Sequence, residues 1–367
     1  MKYFLIAGEA SGDLHAAELI QQLRLRDSQA VFVGLGGDRM AAAGCSLCQH
    51  IRRMAFMGFA AVLGHLGQIR TNFRIAREAI VREKPDVLVL IDYPSFNLKM
   101  AAFCKARFPE TRIYYYIPPK VWAWKKHRIH RIAKLCDEVL GIFPFEPAFY
   151  ARYGYRCTYV GNPTAEQIAR WTAHSSSVHK KTIAILPGSR ASEISHCLPR
   201  MLEAAHCFPD YAVTVCAAPG RAEEDYRPYL REGDTLTRDT YAAVQGAAAA
   251  IVNSGTATLE TALLGCPQVA VYHLACSRLI GWIRWAQPLL FSIPYFTLVN
   301  IIAGRQVIRE CIANAFTVDN VAAELKRLLT DKAYQQEMSV AYEHLSETLG
   351  TQPAAATAAA IITSRNR

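Results

Sequence analysis

Two glycine-containing turns, each directly behind a short apolar run, constrain the fold of this chain more than any other feature. The first turn is Ala7–Asp13 after the run Tyr3–Ile6, and the second is Pro187–Arg190 after the run Thr182–Leu186. Glycine lets a backbone approach an anion closely, and a helix starting there directs its free N–H groups and positive dipole end at the bound group. Because the turns lie about half a chain apart, they predict two nucleotide-type folds that face one cleft.

Short apolar runs alternate with helical patterns along the whole chain. The predicted strands are 3–7, 31–35, 87–91, 113–117 and 139–142 in the first half, and 182–186, 212–217, 249–252 and 269–272 in the second. Strand and helix in regular succession predict parallel sheets covered on both faces, and therefore the α/β class.

A polar stretch, Ala173–Lys181, separates the two series of strands and predicts a linker. A chain of 367 residues has room for two lobes of ordinary domain size. We expect an amino-terminal lobe over 1–172 and a second lobe over 173–345. We expect the helix in 346–367 to pack back on the first lobe or to be exchanged in a dimer.

The formal net charge of +10 favours an anionic partner, which could be nucleic acid, a phosphorylated substrate or an acidic membrane surface. No nucleic-acid-binding motif is present, so we expect no nucleic-acid partner. The eleven cysteines are scattered, as expected of free thiols in the cytoplasm. The pair Cys45 and Cys48 stands alone, so no metal site is predicted. The short, quickly charged amino terminus does not resemble a signal peptide.

Asp92 is the candidate for catalysis because it directly follows the apolar strand Val87–Ile91. Ligands of open parallel sheets are met at the carboxyl ends of the strands. A carboxylate there could accept a proton from a substrate hydroxyl. The alternative is an aspartate that caps the helix starting near Phe96.

In the second half, polar residues behind two strands could hold a phosphorylated group. Backbone amides, hydroxyls and a forked guanidinium suit a diphosphate, and a carboxylate one helical turn further on suits ribose hydroxyls. The alternatives are an ordinary helix cap and a solvent-facing arginine. The residues concerned are Gly188, Ser189, Arg190, Ser254, Gly255, Thr256 and Glu260.

Two segments of the first half suit a lipid or a phosphorylated sugar. Trp122 and Trp124 lie in a proline-containing, basic stretch, although tryptophans so placed can also be packed inside a protein. The nearly uncharged segment Met54–Ile69 is followed by arginines. It suits a membrane surface or an acyl groove, or alternatively a buried connecting helix.

Taken together, the motifs of this chain resemble those of the lipid-A-disaccharide synthase family, in the same order over nearly the whole length. The motifs that carry the resemblance are Ala7–Asp13, Met57–Gly58, Ile91–Asn97, Val121–Trp124, Leu186–Arg190, Ser254–Thr256 with Glu260, and Asn300 with Ala303–Arg305.

The resemblance implies a GT-B fold with two Rossmann-like lobes, inverting glycosyl transfer, no metal and no cofactor. It implies transfer of 2,3-diacylglucosamine from its UDP derivative to 2,3-diacylglucosamine 1-phosphate, which gives the β-1,6-linked disaccharide 1-phosphate and UDP. It also implies a cytoplasmic protein associated peripherally with the inner membrane, and a homodimer is compatible with it.

The resemblance also implies roles for single residues. Asp92 would be the general base. The donor UDP-sugar would be bound by Gly188, Ser189, Arg190, Ser254, Gly255, Thr256, Glu260, Asn300 and Arg305. The acylated acceptor would be bound by Gly8, Glu9, Ser11, Gly12, Met57, Phe59, Leu63, Trp122 and Trp124.

Two other functions remain open at this point. A UDP-N-acetylglucosamine 2-epimerase shares the two-lobed fold and a similar nucleotide sugar, but it would leave the apolar segment Met54–Ile69 unexplained. A noncatalytic binder of anionic lipids would explain the positive charge and the two tryptophans.

Overall fold

The computed structural model describes residues 1–53, 66–123, 126–174, 181–273 and 295–365. The chain divides into two compact units. The first consists of Met1–Pro163 together with Gln352–Arg367, and the second is Thr164–Thr351. These divisions fall after Pro163 and Thr351, whereas the predicted boundaries are after residues 172 and 345. Each unit is an α/β layer structure with its own parallel sheet.

The strands of the first unit alternate with helices, as the succession of apolar runs predicts. Its strands are β1 Lys2–Ala7, β2 Val31–Gly36, β3 Ser46–His50, β4 Val87–Ile91, β5 Arg112–Tyr116, β6 Glu138–Gly141 and β7 Thr158–Tyr159. Its helices are α1 Ala10–Arg26, α2 Asp38–Ala42, α3 Leu66–Glu83, α4 Pro94–Arg107, α5 Arg128–Leu135, α6 Glu146–Ala151 and, at the boundary, α7 Pro163–Thr172.

Among the described residues of the first unit, seven strands pair in parallel in the order β3-β2-β1-β4-β5-β6-β7. Strand β1 is buried on both faces: Tyr3 and Leu5 belong to one apolar cluster, whereas Phe4 and Ile6 belong to another. Burial on both faces explains why these strands read as continuous apolar runs.

The second unit repeats the pattern. Its strands are β8 Thr182–Leu186, β9 Ala212–Cys216, β10 Thr235–Thr237, β11 Ala249–Asn253, β12 Gln268–Tyr272 and β13 Glu310–Ile312. The described helices after α7 are α8 Ala191–Ala205, α9 Thr240–Gln245, α10 Thr256–Leu263, α11 Leu298–Ala303, α12 Val318–Thr330 and α13 Lys332–Leu349. Within the described ranges its strands are parallel, in the order β10-β9-β8-β11-β12-β13.

The last helix, α14 (Ala354–Ser364), belongs to the first unit. Its residues Ala358, Ala359 and Ile362 are fully buried in the cluster that contains Tyr3 and Leu5. Alanine side chains let the helix approach closely. Beyond it, Arg365 forms an ion pair with the buried carboxylate of Glu138. The carboxy-terminal segment therefore completes the core of the first unit.

Candidate active site

In both sheets the strand order reverses at one point, and the predicted site residues lie there. In the first unit the reversal falls between β1 and β4, whose last residues Ala7 and Ile91 are paired. In the second unit it falls between β8 and β11, where Leu186 pairs with Val252. Connections that leave in opposite directions open a crevice at the carboxyl ends of the strands, where ligands of such sheets bind.

Asp92, the first residue after β4, has an unusual backbone conformation. Its φ is +45° and that of the next residue, Tyr93, is +44°. For residues other than glycine this left-handed conformation costs of order 1–3 kcal/mol each and persists only where the surroundings impose it. Here the Asp92 amide donates to the carbonyl of Ile117 at 3.2 Å. The strain is evidence for a functional constraint at this position.

The side chain of Asp92 is partly buried. Burial raises the pKa of this carboxyl above its ordinary value of 3.8. The amide of Tyr93 and the positive charges of Lys120 and His15 act in the opposite direction and lower it. A partly buried carboxylate with a raised pKa, at the carboxyl end of a strand, has the properties of a general base.

The turn after β1 lies beside Asp92, and its residues have distinct environments. Gly8 is required by packing, because a Cβ atom there would lie 2.3 Å from the ring of Tyr93. Gly12 is buried, and a Cβ there would contact Ala7 and Ile91 at ordinary distances. Glu9 is partly exposed and Ser11 is exposed. The structure thus leaves Glu9 and Ser11 accessible to a ligand, while Gly8 shapes the connection from β1 and Gly12 lies buried in the first turn of helix α1.

Asp13, in the first turn of helix α1, was not singled out from the sequence, yet its carboxylate accepts three backbone hydrogen bonds. Its buried carboxylate accepts hydrogen bonds from the amides of Gly37 at 2.7 Å, Met40 at 3.0 Å and Arg39 at 3.1 Å. These amides open helix α2, so Asp13 caps that helix from a distant part of the chain. In the sequence, the signal that could have indicated this role was an acidic residue directly after Gly12.

The side chain of Trp122 is buried in this structure, and its contact with the acceptor stays a prediction. Its side chain is 3% exposed and lies edge-on against Phe143 and Phe145. Its indole Nε1 donates to the buried carboxylate of Glu146. Four other predicted acceptor residues, Met57, Phe59, Leu63 and Trp124, lie outside the described residues.

The second unit contains a cavity of about 620 Å³ at the carboxyl ends of β8 and β11. Seven of the nine predicted donor-binding residues line it: Gly188, Ser189, Arg190, Ser254, Gly255, Thr256 and Glu260. The volume lies within the range of cavities that bind small molecules and cofactors. Seven residues that were predicted from two separate parts of the sequence therefore line the same cavity.

The first of the two loops differs in detail from the expected phosphate cradle. One carboxylate oxygen of Glu193 accepts from the amides of Ser189 at 3.0 Å and Arg190 at 3.2 Å, and the other accepts from the Arg190 guanidinium at 3.2 Å. Gly188 has a φ of +112°, and a Cβ there would lie 2.5 Å from that same carboxylate. In this structure the Ser189 amide is therefore paired with the Glu193 carboxylate, and its contact with phosphate stays a prediction.

The second loop, which leads into helix α10, has a different arrangement of backbone amides. Helix α10 starts at Thr256 after Gly255, and no side chain caps this start among the residues described. Ser254 directs its own amide to Val271. Gly255, Thr256 and Ala257, at the start of α10, line the same cavity. This helix start is the better candidate for an anion in the second unit.

Further polar residues of the cavity come from a third strand end that sequence reasoning did not use. Arg238 and Tyr241 follow the short strand β10 and line the cavity. Glu260 is partly buried, and burial raises the pKa of its carboxyl. Burial and the charge of Glu260 both raise the pKa of Tyr241. Strand β10, Thr235–Thr237, has no continuous apolar run, so no local sequence signal marked Arg238.

The remaining two predicted donor-binding residues do not line this cavity. Asn300 is fully buried, and its side-chain oxygen accepts from the amides of Val307 at 2.7 Å and Ile308 at 3.0 Å, while its Nδ2 donates to Glu310. Arg305 is about half exposed, 3.9 Å from a carboxylate oxygen of Glu337. Asn300 thus has a structural role here, and its contact with donor stays a prediction, as does that of Arg305.

Among the residues that the structure describes, we find no helix that has both the length and the apolar composition needed to span a bilayer. Across that same part of the chain, no group of three or more His, Cys, Asp or Glu side chains is arranged to hold a metal ion.

Solved structures with the same two-lobed fold cover essentially the whole chain at low sequence identity. The glycotransferase of kitacinnamycin matches with a TM-score of 0.64 at 14% identity, covering 100% of this chain and 99% of its own. The UDP-GlcNAc 2-epimerase from Neisseria meningitidis bound to UDP-GlcNAc matches with a TM-score of 0.65 at 10% identity, with the same coverage. At these identities the likeness concerns the fold, which both kinds of enzyme share.

Similarity in sequence identifies the family more specifically than similarity in fold does. A lipid-A-disaccharide synthase of Geobacter sulfurreducens is 34% identical over 366 residues, covering 95% of this chain and 93% of its own. That of Myxococcus xanthus is 36% identical over 374 residues, covering 98% and 96%. The family model described as lipid-A-disaccharide synthetase matches residues 3–362. With its fold, its strand-end residues and this match together, the chain belongs to the lipid-A-disaccharide synthetase family.

Proposed function

We propose that this chain condenses UDP-2,3-diacylglucosamine with 2,3-diacylglucosamine 1-phosphate to form the β-1,6-linked disaccharide 1-phosphate and UDP. The observation that carries the proposal is the family match over residues 3–362, which includes both strand-end clusters. Inverting transfer needs one base and one site for the leaving diphosphate. The chain provides a candidate for each.

Asp92 is the proposed base. It would take the proton of the acceptor 6-hydroxyl while the oxygen of that hydroxyl attacks the anomeric carbon on the face opposite UDP. The bond between the anomeric carbon and the diphosphate oxygen breaks, and UDP leaves with the electron pair. Partial burial, which raises the pKa of Asp92, strengthens it as a proton acceptor.

The cavity of the second unit is the proposed donor site. Its volume of about 620 Å³ suits a nucleotide sugar. We assign the leaving diphosphate to the start of helix α10, with Arg190 and Arg238 as cationic partners on the same wall. Fixed donors of this kind stabilise developing negative charge by about 3–4 kcal/mol each in other enzymes. Glu260, beyond the first turn, is assigned to the sugar or ribose hydroxyls.

One incubation separates this function from its alternatives. The purified protein is given both diacylated sugars, and the products are analysed for UDP and for the disaccharide 1-phosphate. A disaccharide supports the proposal. An epimerised UDP-sugar without disaccharide would support the epimerase, whose likeness here rests on fold alone. Binding of vesicles without turnover would support the lipid binder.

We further propose peripheral association with the cytoplasmic face of the inner membrane, because both substrates carry acyl chains and the chain has a net charge of +10. Charged substitutions at Phe59 and Leu63 should weaken binding to anionic vesicles while UDP binding is retained. Unchanged vesicle binding would count against the assignment of this segment. A homodimer, checked by the mass in solution, belongs to the same proposal.

A further inference from the structure

The strained backbone at Asp92 is held by two side chains that the reaction itself does not use. The hydroxyl of Tyr115 donates to the carbonyl oxygen of Asp92 at 2.7 Å. The Nδ2 of Asn97 donates to the same oxygen, also at 2.7 Å. One carbonyl thus receives two strong donors, which fixes the plane of the peptide that follows Asp92.

Asn97 also links the strands on either side of the reversal point. Its Nδ2 lies 3.2 Å from the carbonyl of Ile91 at the end of β4 and 3.5 Å from that of Ile6 in β1. The side chain is fully buried. Since carbonyl oxygens only accept, the nitrogen of the amide must face them, and its orientation is determined. Asn97 therefore joins the ends of both strands to the peptide of the proposed base.

These contacts exceed what a helix cap requires. Asn97 lies inside the first turn of helix α4, where asparagine is a poor helix former. The residue at the cap position, Tyr93, makes no side-chain cap contact. Tyr115 comes from the neighbouring strand β5, so its contact depends on the β4–β5 pairing. Two elements thus converge on the one peptide that orients the Asp92 side chain.

We propose that Asn97 and Tyr115 are positioning residues for Asp92. They hold Asp92 and Tyr93 in the left-handed conformation, which sets the direction in which the carboxylate leaves the sheet edge. Neither Asn97 nor Tyr115 is proposed to contact the substrate. The inference rests on the proposed function, since it assumes that Asp92 is the base.

The test is a double-mutant cycle between Tyr115 and Asp92. Tyr115→Phe removes the hydroxyl and keeps the buried ring, so the fold should be retained. We expect kcat to fall about 10- to 100-fold, the cost of a base misplaced by a fraction of an ångström, with KM for the UDP-sugar and UDP affinity unchanged. In the Asp92→Asn background the same change should have no further effect, because Tyr115 acts only through the carboxylate.

Tyr114→Phe is the matched control, because Tyr114 is the adjacent buried tyrosine of β5 and belongs to the apolar cluster on the other face of the sheet. Its kcat should stay near wild type. Asn97→Ala should lower kcat at least as much as Tyr115→Phe, and its thermal midpoint is measured alongside.

Several outcomes distinguish a failure of the positioning proposal from a failure of the proposed function. If the wild type makes no disaccharide, or if Asp92→Asn remains near normal, the proposed function fails. If Asp92→Asn is inactive but Tyr115→Phe turns over normally, the positioning proposal fails alone. It also fails if Tyr115→Phe lowers the residual rate of Asp92→Asn by its full factor, because Tyr115 would then act independently of the carboxylate.

Discussion

The indole nitrogen of Trp122 donates a hydrogen bond to a carboxylate oxygen of Glu146 at 3.2 Å. The other oxygen of Glu146 accepts from the amides of Ile142 at 2.8 Å and Phe143 at 2.9 Å. Glu146 is 1% exposed. Trp122, which the sequence associates with a lipid or a sugar, therefore connects the loop after β5 with the start of helix α6 inside the protein.

Stability should depend on pH through Glu146. Burial raises the pKa of its carboxyl from 4.5 to about 7, although the amide donors, Trp122 and Lys120 lower it. Between these two values the folded state binds more protons than the unfolded state, so stability falls as pH rises through the window and levels off above about pH 7. Glutamine does not titrate. The thermal midpoint of Glu146→Gln should therefore rise relative to that of the wild type as the pH increases from 4.5 to 7.

The control for this prediction is Glu203→Gln, which changes an exposed carboxylate of helix α8. This variant makes the same chemical change outside a buried site, and the pH-dependent gain of Glu146→Gln is measured relative to it. A pH-independent difference for Glu146→Gln would contradict the assignment of the titration to Glu146.

Turnover should depend on the ionisation of Asp92. Burial raises the pKa of Asp92 above 3.8, and a base works only when deprotonated, so activity should fall as pH decreases through that raised pKa. Asp92→Asn should lower kcat by about 10²–10⁴-fold, the usual contribution of a general base. Initial rates from pH 4 to 8 and UDP titration of the variant check both statements. Retention of the acid limb in the residual activity of Asp92→Asn would assign that limb to another group.

Gly188→Ala should disturb the donor cavity. The new Cβ would lie 2.5 Å from Glu193 and 2.6 Å from Asn253, at a φ of +112°. The loop must shift, and we expect UDP affinity to fall about tenfold or more, equal to at least ~1.4 kcal/mol. The control is Gly233→Ala, which has a φ of +92° but no atom within 4 Å of the new Cβ. It should lose stability only, while isothermal titration shows UDP affinity unchanged.

Asp13→Ala should destabilise the first unit. Three amides would lose their acceptor, and unsatisfied buried donors cost about 1–3 kcal/mol each. Asp13→Asn keeps one oxygen for Gly37 and Met40 but none for Arg39, so its loss should be smaller. Urea unfolding followed by far-UV circular dichroism ranks the two variants. Equal losses would mean that the Arg39 amide is satisfied without the second oxygen.

The strands that the sequence did not predict share one physical property. They are β3, β7, β10 and β13, which are the outermost strands of the two sheets within the described ranges. An edge strand is covered less completely and is often short, so it carries polar residues and no apolar run. The central strands are buried on both faces and were therefore predicted to within a residue or two.

The same distinction holds for the site. The positions of Asp92, Ser254 and Gly188 follow from strand ends, which local sequence reveals. The capture of the Ser189 and Arg190 amides by Glu193 depends on one side-chain conformation across a turn. The contact of Tyr115 with Asp92 depends on the pairing of two strands. Neither leaves a periodic or compositional signal.

Helix α14 gives the chain a particular order of assembly. Residues 164–351 form an uninterrupted unit, so they can fold as soon as they have left the ribosome. The first unit, although its sheet is synthesised earlier, keeps an open apolar groove beside Tyr3 and Leu5 until Ala358 and Ile362 arrive to fill it. The core of the first unit can therefore be completed only after the second unit has been synthesised, and apolar surface exposed in the interval favours misassembly.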